Sequence, residues 1–366
     1  MLLTNETPEE VALSIKNFVE NDTALISIGE ETNTNIEELI KALNNEGVSF
    51  IGAIFPMIIH NDQISKKGIV IHRLSNIVYL SMVKNISKQD YAIPSVDFKP
   101  GSDYSLITYV DGLTSNISVF LSKLYENYGM NTNYIGGGAG SLSLKQAPCV
   151  FSKDGFFQDA AVVCLTETKS SIGVKHGWEK LDGPFIVTKA NHNTIEEINW
   201  ENPFNIYKKI VEKDSGGTVT KENFLDYSGR YPIGIIKDGI DHHIVRDPLT
   251  VENDNAIVCI GHVEENTMIN IMKGENDSLL NAAKMATEEI VSKSEDAKNA
   301  MVIDCITRVF KLKDDFKYEL ENVYKPIQDK YPDIQVDGAL TLGEISSYGN
   351  GYIEFYNRTI VVGLFE

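Results

Sequence analysis

The sequence predicts an α/β protein of two domains, with mixed β-sheets flanked by helices, and three observations lead to that class. A chain of 366 residues is longer than one hydrophobic core usually grows, so two domains are the default. Its opening segments alternate apolar runs of strand length with capped amphipathic helices, which is the pattern of helices packed on a sheet with parallel pairing. Later strand candidates follow one another with little helix between them, and such connections turn a parallel sheet into a mixed one.

The elements support this reading in order. Thr7-Pro8-Glu9-Glu10 supplies a capping hydroxyl, a proline at the first helical position and a glutamate three residues after the cap, so a helix should run to about Asn21. Ala24 to Ile28 has strand length, Thr34-Asn35-Ile36-Glu37 repeats the capping pattern before a helix that Gly47 can close, and Phe50 to Phe55 reads as a buried strand. Ile69 to Ile71, Ile77 to Leu80 and Ser105 to Val110 are further strands. Ser115 to Tyr128 places Ile117, Phe120, Leu121 and Leu124 at helical spacing, with Gly129 just past its end. Strands return at Ala160 to Leu165 and Pro184 to Val187, followed by a helix from Pro203 to Val211. The polar, glycine-containing stretch from Glu212 to Thr220 has the composition of a linker and sets the expected division into domains 1–215 and 216–366. Beyond it lie strands at Ile233 to Ile236, Ala256 to Ile260 and Met268 to Met272, a helix from Asp277 to Ser292, and strands at Met301 to Ile306, Gly338 to Ile345 and Ile360 to Leu364.

Charge narrows the function. Lys and Arg total 33 against 52 Asp and Glu, a formal charge of -19, so the summed field repels phosphate backbones and anionic headgroups and argues against nucleic acid as a partner. Met1 to Glu10 has neither a positive nor an apolar leader region, and no apolar run approaches the roughly 20 residues a bilayer requires. The expectation is a cytoplasmic protein without membrane insertion. Cys149, Cys164, Cys259 and Cys305 are widely spaced in apolar sequence, which suits buried thiols rather than a zinc site or a disulfide framework.

The most informative segment is Tyr134-Ile135-Gly136-Gly137-Gly138-Ala139-Gly140. Together with Phe55-Pro56, Asp111-Gly112-Leu113, Asp154-Gly155, His176-Gly177-Trp178 and Val187-Thr188, it resembles the N-terminal half of the FIST (F-box and intracellular signal transduction) family. Tyr231-Pro232-Ile233-Gly234-Ile235, Val245-Arg246-Asp247-Pro248, Cys305-Ile306-Thr307-Arg308, Gly343-Glu344-Ile345 and Asn357-Arg358-Thr359 resemble the C-terminal half. The resemblance implies a sensory module that binds a small ligand, an amino acid among the candidates, and signals to a separate histidine kinase or cyclic-dinucleotide enzyme. It also implies an alternative, a haem-dependent nitric-oxide sensor, for which His176 is the candidate ligand.

Candidate ligand-binding residues follow from residue chemistry. Gly136, Gly137, Gly138 and Gly140 can either present bare N–H groups to an anion or let another backbone pack closely. The run fits neither G-x-G-x-x-G nor a P-loop. Arg246 and Arg308 could fork onto a ligand carboxylate, and Glu344 could accept a ligand ammonium; for Arg308 an internal pair with Glu344 or Asp304 is the competing reading. No C-x-x-C-H motif attaches haem, and seven scattered histidines single out no axial ligand. His242 and His243 cannot face the same way in an extended segment, which disfavours a metal pair. The sequence holds no G-x-S-x-G elbow and no H-E-x-x-H motif, and Cys305 lies in apolar sequence. A binder without cofactor is therefore expected, rather than an enzyme, with its pocket near the domain junction or beside the glycine run.

Overall fold

The computed structural model describes residues 1–4, 7–237, 243–252, 254–348 and 352–366. Strand β1 (Leu2–Leu3) and helix α1 (Pro8–Val19) precede β2 (Thr23–Gly29), α2 (Ile36–Asn45) and β3 (Ser49–Phe55). Then come β4 (Met57–His60), β5 (Gln63–Ser65), β6 (Ile69–Leu74), β7 (Ile77–Lys84) and β8 (Tyr104–Asp111), and α3 (Ile117–Tyr128) leads to β9 (Thr132–Ala139). Strands β10 (Val150–Ser152), β11 (Gly155–Phe157), β12 (Ala160–Thr166), β13 (Ser170–Lys175), β14 (Glu179–Asn191) and β15 (Thr194–Ile198) follow without a helix. Helices α4 (Pro203–Ser215) and α5 (Phe224–Ser228) introduce β16 (Ile233–Ile236), β17 (Ile244–Val251), β18 (Ile257–Ile260) and β19 (Met268–Lys273). The chain continues through α6 (Asn276–Lys293), β20 (Asn299–Cys305), α7 (Ile306–Leu312), α8 (Phe316–Lys330), β21 (Val336–Thr341), β22 (Glu344–Tyr348), β23 (Tyr352–Tyr356) and β24 (Ile360–Phe365).

These strands form three mixed six-stranded sheets and a closed six-stranded barrel. Each sheet is organised around a parallel pair joined through helix, β2 with β3, β8 with β9 and β20 with β21, and each pair has an antiparallel neighbour in β6, β12 or β24. Period-two alternation explains why such strands are buried on both faces. On β2, Ala24, Ile26 and Ile28 meet the helices α1 and α2, while Leu25 enters a core shared with the other sheets and the barrel. On β20, Ala300 and Val302 face the α6 and α8 side, and Met301 and Ile303 enter that same shared core.

Pairing crosses the chain. β13, β4 and β5 share a sheet with β20, β21 and β24; β9 pairs with β22; and β14 and β15 close the barrel with β16 to β19. The stretch expected as a linker is ordered. Lys213 to Ser215 end α4, Gly216 caps it with φ 69°, and Val219 is buried. A Cβ on Gly217 would meet the Tyr227 hydroxyl at 2.2 Å, so its glycine character serves close packing. Thr7 makes the expected capping box, but α2 is capped by Asn35, whose side chain accepts from the N–H groups of Glu37 and Glu38. Gly338 to Ile345 is two strands, broken by a turn in which Gly343 takes φ 149°. Among the described residues, no helix is long and apolar enough to cross a membrane.

Candidate functional site

Arg358 stands in the turn between β23 and β24 with φ 59°, a left-handed conformation that costs a non-glycine residue roughly 1 kcal/mol or more. Its side chain is nonetheless buried, and each of its three nitrogens donates a hydrogen bond. Nε donates to the carboxylate of Asp247 on β17, Nη1 donates to the Gly229 carbonyl at 2.7 Å and Nη2 to the Ser228 carbonyl at 3.3 Å. The guanidinium carbon lies 4.8 Å from the ring centroid of Trp178, a cation–π distance. Asp247 is 3% exposed, and its second oxygen, Oδ2, has no hydrogen-bond partner among the described residues. Leaving such an atom unpaired costs about 1–3 kcal/mol, more when it is charged, so a donor brought by a ligand would be stabilised there.

Asp247 and Arg358 line a cleft of about 450 Å³ between the barrel with α5 on one side and α7 on the other. α7 contributes Lys311, whose Nζ donates to Asn276 Oδ1 at 3.0 Å, and Lys313 follows the helix with φ 51°. Burial lowers the Lys311 pKa, and the charges of Arg230 and Lys313 push the same way against Glu275. Neither lysine forms a salt bridge among the described residues, whereas Arg230 is held by Glu275 at 2.6 Å. In a protein of formal charge -19 this is a local concentration of cations in a concave site, the arrangement that attracts an anion.

Behind the cleft lies a fully buried ionic cluster. Arg308 on α7 forks onto Glu319 of α8, with Nε and Nη2 each 2.8 Å from a carboxylate oxygen. Its remaining N–H groups donate to the carbonyls of His176 (2.6 Å), Arg358 (3.1 Å) and Leu279 (3.0 Å). The internal pair expected with Asp304 is present, and Glu319 is a second, closer carboxylate on the same guanidinium. Asp304 sits 3.4 Å from Nε, and burial, then the neighbouring Glu319, hold its carboxyl well above the usual range. Glu344 accepts from the Thr341 hydroxyl at 3.0 Å and the Thr359 N–H at 3.1 Å; burial nevertheless pushes its pKa up to about 8.

None of the ligand-binding candidates read from the sequence lines the cleft. Gly136, Gly137, Gly138 and Gly140 offer no anion cradle. Gly136 and Gly137 are paired with Ile345 and Glu344 in the ladder, and the N–H groups of Gly138 and Gly140 donate to the carbonyls of Gly343 and Ile54. A Cβ on Gly136 would stand 1.8 Å from the Thr108 carbonyl oxygen, and one on Gly137 would stand 2.6 Å from Thr341 Cγ2, so close packing is what requires glycine. Arg246 clamps the barrel to β23, donating to the Phe355 carbonyl at 3.0 Å, the His262 carbonyl at 3.0 Å and Glu354 at 3.2 Å. Arg308 and Glu344 have no exposed surface.

His176, the candidate haem ligand, is buried between β13 and β14. Its Nδ1 accepts the Trp178 N–H at 2.9 Å, its ring lies 6.5 Å from that of His243, and it lines neither of the two clefts described here. Gly177 beside it packs on α6, where a Cβ would meet the Ser278 carbonyl oxygen at 2.6 Å. His243 Nε2 contacts Asn270 Nδ2 at 2.6 Å, while His242 lies outside the described residues. The second cleft, of about 540 Å³, opens at the N-termini of α1 and α2; their caps Thr7 and Asn35 already accept helix N–H groups, and Glu31 and Glu38 face an anion with like charge.

Sequence reasoning missed Asp247, Lys311 and Arg358 as site residues. The signal for Arg358 was the one that singled out Arg308, an arginine directly beside an apolar strand, here Thr359-Ile360-Val361-Val362. The signal for Lys311 was weaker, since a lysine near a helix end is ordinarily a solvated group.

A family model described as the FIST N domain matches residues 4–201, and one described as the FIST C domain matches residues 203–347. Domains of this family are sensory domains of signal transduction and small-molecule binding. The chain belongs to the FIST family. No curated protein matches it.

Proposed function

We propose that the cleft between the barrel and α7 is the sensory site, that its ligand is a small carboxylate with an amino acid as the leading class, and that the bound state is read by a separate signalling partner. The observation that carries this reading is the buried, unpartnered Asp247 Oδ2 beside Arg358 in a cleft that also holds Lys311 and Lys313, neither in a salt bridge among the described residues. A carboxylate would be drawn to Lys311 and Lys313, and an ammonium would complete Asp247, so the two ends of an amino acid meet opposite charges. The family resemblance points to a histidine kinase or cyclic-dinucleotide enzyme as the partner.

Ligand binding would act by differential affinity for two arrangements of the cleft walls, because a ligand can shift a conformational equilibrium only to that extent. Arg358 is placed to report occupancy. Its side chain holds the end of α5, and its carbonyl accepts from Arg308 and from Trp178 Nε1 at 3.3 Å. A thermal-shift screen of the chain against amino acids, small carboxylates and hemin tests the reading. At least one amino acid should raise the melting temperature in proportion to the logarithm of its concentration, and Lys311→Gln should weaken that response by about tenfold in Kd. Stoichiometric hemin uptake with a Soret band lost in His176→Ala, and no response to amino acids, would replace this reading with haem sensing.

A further inference from the structure

The cleft walls bear on the body of the ligand as well as on its charge, and this inference rests on the reading that a small molecule binds there. Phe310 on α7, Leu225 on α5 and Leu249 on β17 are 55%, 62% and 37% exposed, and all three line the cleft. Single exposed apolar side chains are ordinary on a protein surface. Here three large ones, from three different elements, stand around one concave site whose opposite walls belong to the barrel side and to α7. Pro248 and Ile260 extend the apolar lining on the barrel wall.

We propose that the ligand is an anion with a large apolar body, such as an aryl or branched aliphatic carboxylate, held between Phe310 and the Leu225–Leu249 wall with its carboxylate at Lys311 and Lys313. A small polar acid would leave those side chains in water. A diacid would also bring its second charge toward Asp226 and Asp247, which line the same cleft. An apolar body covers the rings and methyl groups, and its transfer from water adds to the charge pairing at the cationic end.

Isothermal titration of the full chain with phenylalanine and 3-phenylpropionate, compared with glycine, acetate and aspartate, tests the proposal. The aryl acids should bind at least about tenfold more tightly than the small ones, and Phe310→Ala should remove most of that advantage. Leu225→Ser gives the same test from the opposite wall; both side chains are exposed, so both variants should keep the wild-type melting curve in the absence of ligand. Equal affinity across the series, or an unchanged preference in both variants, overturns the apolar-body inference and leaves the cleft as the sensory site. If no acid in the series binds, the reading of the cleft falls with it.

Discussion

Arg308 makes five hydrogen bonds with no exposed surface, and its partners come from α6, α8, the segment after β13 and the turn before β24. Removing it with Arg308→Met should destabilise the fold by about 3–5 kcal/mol, because Glu319 and the three carbonyls would be left buried and unpaired. Urea unfolding checks this. The nearby Glu344 gives a pH signature. Its pKa is raised on folding from an ordinary 4.5 to about 8, so its contribution is fully present below 4.5 and is lost as pH rises toward and past about 8. Glu344→Gln should flatten the fall in urea midpoint over that interval; an unchanged slope would show that Glu344 ionises normally. The sequence showed that Arg308 and Glu344 sit in apolar surroundings and hence need partners. It named Asp304 for Arg308 but not Glu319, because Glu319 lies in a helical stretch of mixed polarity where a buried glutamate looks like any surface one.

At the level of single elements, local chemistry was informative and packing was not. The capping box at Thr7, the Gly129 end of α3 and the apolar spacing of α6 each predicted an observed helix, because all three depend on residues within a few positions of one another. The glycine strand shows the limit. Its residues allow both a ligand loop and a tightly packed ladder, and the choice is made by Thr108, Thr341 and Leu342, which are distant from it in sequence. Gly136→Ala should cost at least about 2 kcal/mol, since the added methyl overlaps a neighbouring strand carbonyl that the parallel ladder holds in place. A cost within error in chemical denaturation would mean that β8 and β9 can separate freely. Thr7→Ala should cost about 1 kcal/mol through lost capping, read in the same assay.

For the whole molecule, the succession of strand and helix candidates predicted mixed sheets flanked by helices, and the family segments predicted both FIST halves. The strand order could not be predicted, because pairing between segments hundreds of residues apart leaves no local trace. One hydrophobic cluster includes residues from all three sheets and the barrel, among them Leu25, Tyr109, Ile303 and Ile257. Thermal unfolding should therefore be a single cooperative transition, with near- and far-ultraviolet circular dichroism coincident, and a cleft ligand should move that transition as a unit. Two separated transitions would show that the barrel and the sheets unfold independently.

The pairing of β4 with β21 also bears on how the protein is made. His60 meets its partner Asp337 across 277 residues of chain, so a ribosome must synthesise most of the polypeptide before that edge can be covered. Until then the nascent chain exposes strand edges and apolar faces of the kind that aggregate. Chaperone supply during translation, more than the stability of the finished fold, should set the yield of soluble protein.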